Sequence, residues 1–138
     1  MRILILCTGN TCRSQMAAGF FRAMEPTWEI ESAGTFPGEE TNPLAIRVMA
    51  EVGVDISRRV PRSVDEYTGG SFDYVITVCS GAEKSCPVFD GEVKHRLHVP
   101  FDDPAGARGN LDDRLSVYRR VRDEIREFAG EFIKGKIR

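Results

Sequence analysis

Four consecutive aliphatic residues, Ile3-Leu4-Ile5-Leu6, run straight into Cys7. A short run of this kind is buried on both faces, as a central strand of a parallel sheet is. The character then changes at once. Thr8-Gly9-Asn10-Thr11-Cys12-Arg13-Ser14 is small and polar, and a helical pattern opens at Ser14. Strand, short loop and helix start therefore meet at Cys7. Backbone N–H groups of such a loop converge on one point, and the helix start adds its own N–H groups and the positive end of its dipole. A cysteine on the floor of an anion cradle is set up as a nucleophile. Arg13, at C-x5-R spacing, closes the cradle with a fork of donors suited to a tetrahedral oxyanion.

The remaining chain builds the scaffold that such a loop needs. After Ser14, Met16, Ala17, Phe20, Phe21 and Met24 follow helical spacing, and Pro26 ends the run. Trp28 to Ser32 alternates like a half-buried strand and Gly34 closes it. Asn42-Pro43 is a helix start, Ala45, Val48, Met49 and Val52 make one apolar face, and Gly53 stands at the C-terminal stop. Arg58 to Tyr67 is charged and ambiguous, with Pro61 against a continuous helix. Phe72 to Val78 is a second strong strand that delivers Cys79, and His95 to Val99 a further strand ending at Pro100. Asn110, with Asp112 and Asp113 in the first turn, caps a long amphipathic helix carrying Leu111, Leu115, Tyr118, Val121, Ile125, Phe128 and Phe132.

This alternation predicts an α/β fold: one domain over residues 1–138, with a four-stranded parallel sheet flanked by helices on both faces. Its site lies beyond the carboxyl ends of the strands, the edge that holds both Cys7 and Cys79. A net charge of −2 gives no reason to expect nucleic acid or an acidic membrane as partner. The N-terminal apolar run lacks the cationic region and cleavage site of a signal peptide, so a soluble cytoplasmic protein is expected. In that setting the cysteines Cys7, Cys12, Cys79 and Cys86 are catalytic, redox, metal-binding or plain core residues rather than structural disulfides.

Each candidate has a plainer role to set against its chemical one. Cys7 could be core packing, Ser14 a helix cap rather than a donor to the Cys7 sulfur, and Asn10 a simple turn residue. Cys12 reads best as a small buried thiol, and Arg58, Arg59 and Arg62 as a solvated face. Cys79, Cys86, His95 and His98 could be drawn as a zinc site. However, C-x6-C with H-x2-H on a strand is poor ligand spacing, and no metal is expected. Asp103-Pro104 is a common turn element and also a general-acid candidate over the cradle. Asp102 is second in line for that role.

The run from Cys7 to Ala17 resembles the phosphate-binding loop of the low-molecular-weight protein tyrosine phosphatase fold. More closely, the chain resembles the thioredoxin-coupled arsenate reductases that share that fold. Ser32-Ala33-Gly34, Asn42-Pro43, the pair Cys79 and Cys86, and Phe101-Asp102-Asp103-Pro104 extend the likeness over nearly the whole chain. The resemblance implies Cys7 as nucleophile, Thr8 to Ser14 as the oxyanion-binding loop, Arg13 as the clamp and Asp103 as the acid. It further implies a disulfide relay through Cys79 and Cys86, reduced by thioredoxin, in a monomer that needs no cofactor. Ala18 stands where potassium-binding reductases carry an acidic residue, so a potassium site of that form is not expected. The other readings are a phosphatase acting on phosphate monoesters and a zinc- or redox-sensing module. Ala105-Gly106, where phosphatases carry tyrosines after the Asp-Pro, counts against the former.

Overall fold

The computed structural model describes residues 1–80 and 88–136. The strands are β1 (Arg2–Cys7), β2 (Glu29–Gly34), β3 (Ser71–Thr77) and β4 (Glu92–His98), and the helices α1 (Arg13–Met24), α2 (Pro43–Ala50) and α3 (Leu111–Ile133). All three strand pairings are parallel, in the order β2-β1-β3-β4. β1 is therefore central, as its aliphatic run requires. Ile3, Leu4, Ile5 and Leu6 have no exposed surface, and burying each is worth about 1.5–3 kcal/mol on a transfer scale.

The pleat divides that burial between two clusters. Ile3, Ile5 and Cys7 join the main core, to which α1, α2 and α3 contribute Phe20, Met49 and Phe132 among others. Leu4 and Leu6 face a smaller cluster with Ala33, Phe72, Val75 and Phe89. Both faces are covered, but unequally. Among the described residues, the second face carries the short 3-10 helix Val64–Tyr67, which adds Val64 and Tyr67. That helix resolves the ambiguous stretch before β3. Ser63 caps it with Glu66 in a capping box, just after the proline that prevents a longer helix.

β4 starts earlier than its hydrophobic pattern indicates. It is an edge strand, with Glu92, Lys94, His95 and Arg96 exposed, so no apolar alternation marks its beginning. Its extent follows from pairing with β3, from Ser71 opposite Glu92 to Thr77 opposite His98. α2 ends at Ala50, short of Val52, and Gly53 takes a positive φ of 79° just past the end. None of the helices among the described residues is long and apolar enough to cross a membrane.

An arginine pair ties α2 to α3. The buried Arg122 donates to the Val48 carbonyl at 2.9 Å and to Glu51 at 2.8 Å, while Arg119 holds the same carboxylate at 2.7 Å. The hydrogen bond from Arg119, then that from Arg122, hold the Glu51 carboxyl down at about 2, from an ordinary value near 4.5. A depressed acid stabilises the fold above its unfolded value, and that contribution fades as pH falls toward the folded value. Glu51→Gln should therefore lower the thermal midpoint at pH 6. The gap to the wild type should close as pH drops from about 4.5 toward 2. Paired melting curves across that range check this; a gap independent of pH contradicts it.

Candidate active site

The loop between β1 and α1 is shaped from outside. The Thr8 carbonyl accepts from the Phe36 N–H at 2.9 Å, Gly9 from Gly38 at 3.0 Å and Thr11 from Asn42 at 2.8 Å. The Asn10 carbonyl accepts from the Gln15 side-chain amide at 3.2 Å. In a trans peptide the carbonyl and the following N–H point to opposite sides. Tying these carbonyls outward therefore turns the N–H groups of Gly9, Asn10, Thr11 and Cys12 toward the loop's interior. The Asn10 N–H shows the result, because it donates to the Cys7 sulfur at 3.2 Å. Ser14 Oγ lies 2.9 Å from the same sulfur and accepts from Asn10 Nδ2 at 2.7 Å. Toward a Cys7 thiolate, which has no hydrogen to give, the Ser14 hydroxyl can act only as donor.

Asn10 is the hub of this arrangement. It has the one positive φ of a non-glycine residue among the described residues, 53°, which asparagine tolerates better than most. Its Oδ1 accepts from the Arg62 N–H at 2.9 Å and from Gln15 Nε2 at 3.2 Å. The loop thus hangs on the segment before the 3-10 helix as well as on α1. Close approach matters on the β2 side. Gly34 lies opposite Cys7 in the β1–β2 register, and a Cβ there would collide with the Thr8 carbonyl and sit 3.0 Å from the Asn10 nitrogen.

α1 begins with no acidic residue in its first turn, unlike α3 with Asp112 and Asp113, so its positive end is left for an anion. Arg13 is buried at 4% exposure, donates from Nη1 to the Phe101 carbonyl at 3.2 Å, and approaches Asp103 at 3.6 Å. The Asp103 side chain is half exposed and caps the 3-10 turn at Pro104 by accepting from the Ala105 N–H at 3.0 Å. Asp102 turns the other way and pairs with Arg120 at 3.1 Å. Cys12 is buried, and burial, with Asp103 and Cys7 adding, pushes its thiol well above the usual range. It stays protonated beside the reactive position.

Cys79 reaches the same edge. β3 ends at Thr77, opposite Leu6, and the Val78 N–H continues the ladder to the Leu6 carbonyl at 2.9 Å. The fully buried Cys79 then brings its sulfur within 4.0 Å of the Thr8 hydroxyl, in the loop itself. Cys7, Cys12 and Cys79 form no disulfide with one another.

The profile described as "Low molecular weight phosphotyrosine protein phosphatase" matches residues 2–136. The chain belongs to that family. An arsenate reductase of Shouchella clausii is 44% identical over 124 residues, 89% of this chain and 88% of that protein. The crystal structure of an arsenate reductase from Archaeoglobus fulgidus superposes with a TM-score of 0.75 at 35% identity, over 96% of this chain and 98% of that one. A thioredoxin-dependent arsenate reductase of Corynebacterium glutamicum gives 0.68 at 27% identity, over 98% of this chain and 60% of that one.

The family frame accounts for how the sequence candidates fall. Cys7, Thr8 to Ser14, Cys79 and Asp103 gather at one end of the sheet; Cys86 lies outside the described residues. His95 and His98 do not gather. Three residues apart on one strand they point to opposite faces, His95 stacked on Tyr74 and His98 Nδ1 2.7 Å from the Thr77 hydroxyl, so they cannot share one metal. Among the described residues no cluster of three or more possible metal ligands occurs. Pattern reading passed over Gln15, the Arg62 backbone and Phe101, whose contributions are an amide or a carbonyl with no motif of its own. Asn42 was visible only as a cap. It also donates from Nδ2 to the Tyr118 hydroxyl at 2.9 Å, joining α2, α3 and the loop.

The tight contact at Gly34 has a direct consequence. Gly34→Ala must push the loop backbone aside, so it should cost about 1–3 kcal/mol of stability. It should also weaken oxyanion binding, since the collision falls on the peptides that aim N–H groups inward. Thermal unfolding and titration with inorganic phosphate measure both. Full retention of phosphate affinity would mean the loop does not depend on this contact.

Proposed function

We propose that the protein reduces arsenate to arsenite, with Cys7 as nucleophile, Cys79 and Cys86 as a disulfide relay, and thioredoxin as electron donor. Arsenate binds in the loop Thr8 to Ser14, its oxygens met by backbone N–H groups and the Arg13 guanidinium. The Cys7 thiolate attacks arsenic and an As–S bond forms. Asp103 gives its proton to the departing oxygen, which leaves as water. The Cys79 thiolate then attacks the Cys7 sulfur. An S–S bond forms, the As–S bond breaks, and its electron pair stays on arsenic, which goes from As(V) to As(III) and leaves as arsenite. Cys86 attacks the Cys79 sulfur and releases the Cys7 thiolate. The dithiol of thioredoxin reduces the Cys79–Cys86 disulfide and is itself oxidised. No organic cofactor or resident metal enters this sequence.

One observation carries the reading. Phosphate-ester hydrolysis in this fold needs Cys7, Arg13 and Asp103, and gives no task to a second buried thiol beside the loop. Cys79 is such a thiol, 4.0 Å from the Thr8 hydroxyl. The arsenate reductase names of the relatives support the same conclusion. The role of Cys86 rests on the family resemblance.

Arsenate-dependent oxidation of reduced thioredoxin, run beside a phosphatase assay, tests the whole. Hydrolysis of phosphate monoesters without thioredoxin oxidation would overturn the reductase reading in favour of a phosphatase. Cys86→Ser should complete about one turnover and stall with a Cys7–Cys79 disulfide visible in a peptide mass map; sustained cycling removes Cys86 from the relay. Asp103→Asn should slow the chemical step by about 10²–10⁴-fold while oxyanion binding persists. An unchanged rate moves the acid elsewhere.

A further inference from the structure

On the α1 side of the loop, away from Cys79, lies a cavity of about 240 Å³ lined by Gln15, Arg22, Glu31, Arg58, Arg59 and Arg62, among others. Its charge is one-sided. Glu31 is the one carboxylate in the lining, and its Oε2 already accepts from the Tyr67 hydroxyl at 2.9 Å. Of the arginines, Arg62 pairs with Glu66 at 3.1 Å, whereas Arg58 and Arg59 form no ion pair among the described residues. Burial first, then the neighbouring Arg59, pulls the Arg22 guanidinium below its ordinary value, with Glu31 opposing.

Two residues of this lining each carry a buried side-chain atom without a hydrogen-bond partner: Gln15 Oε1 and Arg22 Nη1. The orientation of Gln15 is settled, because its Nε2 faces only acceptors, namely the Asn10 carbonyl, Asn10 Oδ1 and the Val60 carbonyl. Gln15 is 1% exposed, so the orphaned Oε1 is costly unless a donor reaches it. Arg22 Nη2 is anchored on the Ile30 carbonyl at 2.8 Å, which fixes the guanidinium plane. The arginine-bearing segment is fixed too, through Thr41 on the Arg59 carbonyl at 2.6 Å and Gly34 on the Arg62 carbonyl at 2.9 Å.

We propose that this cavity is a second anion site, distinct from the loop around Cys7, which takes a small oxyanion bearing both negative oxygens and an acidic O–H, such as hydrogenphosphate. The arginines meet the charge, and the O–H donates to Gln15 Oε1 while its oxygen accepts from Arg22 Nη1. Sulfate offers the charge without the donor. Because Gln15 also holds Asn10, whose N–H reaches the Cys7 sulfur, occupants of the two sites share a hydrogen-bonded link.

The test is a titration of the protein with inorganic phosphate, followed through the arginine Nε–H resonances. Saturable shifts at Arg22 and Arg59 are expected. They should persist in Arg13→Ala, which removes the loop's guanidinium, and disappear for Arg22 in the double variant R58A/R59A. Sulfate should bind at these arginines at least about fivefold more weakly. Absence of a saturable shift, its loss with Arg13, or sulfate binding as well as phosphate would each overturn the proposal. The wild-type and Arg13→Ala spectra decide the matter even where the double variant fails to fold. Neither result depends on whether the loop performs arsenate reduction.

Discussion

The active loop is held from outside, and that constraint organises the rest of the site. A chain of peptides left to itself bonds its carbonyls and N–H groups locally, and no anion site results. Here Phe36, Gly38, Asn42 and Gln15 take the carbonyls of Thr8, Gly9, Thr11 and Asn10. The N–H groups are then committed inward by peptide planarity alone. The scheme requires β2 and the segment beyond it to lie against the loop, which is why Gly34, without a side chain, ends β2 opposite Cys7. Positioning Cys7 and shaping the loop are thus one structural event.

Charge is distributed to match. α1 carries no acidic residue in its first turn, and Arg13 donates to the Phe101 carbonyl. Asp103 approaches Arg13 at 3.6 Å with half its side-chain surface in solvent, a geometry in which an ion pair contributes little. Burial pushes the Cys12 thiol up, while the Asn10 N–H and the Ser14 hydroxyl lie against the Cys7 sulfur. Asp102 and Asp103, adjacent in sequence, are assigned different partners by the turn at Pro104: one stiffens the contact with α3, the other faces the loop.

How much of this was legible in the sequence depends on whether a residue acts through its side-chain type or through its backbone. The aliphatic run of β1, the helical spacing of α3 and the Asn42-Pro43 start are statements about side chains, and the elements stand where those patterns lead. Cys7, Arg13 and Asp103 were visible for the same reason. The start of β4 was not, because an exposed edge strand carries Glu92 and Lys94 where a pattern would need apolar residues. Nor was the role of Arg62. Its guanidinium suggested a solvated face, whereas its N–H and carbonyl hold Asn10 and Gly34. Pairings such as Arg122 with Glu51, separated by 71 residues, exist only once the helices are packed.

The position of Cys79 follows from register rather than from any property of the loop. β1 and β3 are parallel neighbours, Leu6 lies opposite Thr77, and the Val78 N–H extends the pairing by one more bond to the Leu6 carbonyl. A residue two places past Thr77 must then emerge beside Thr8, whatever its type. The register therefore brings the residue after Val78 beside the loop that follows Cys7, and Cys79 occupies that place. In the proposed relay a thiol there takes the Cys7 sulfur, and the bond to Cys7 breaks with its electrons left on arsenic. The second sulfur of that relay comes from one side chain after β3, and the sheet register decides which side chain that is.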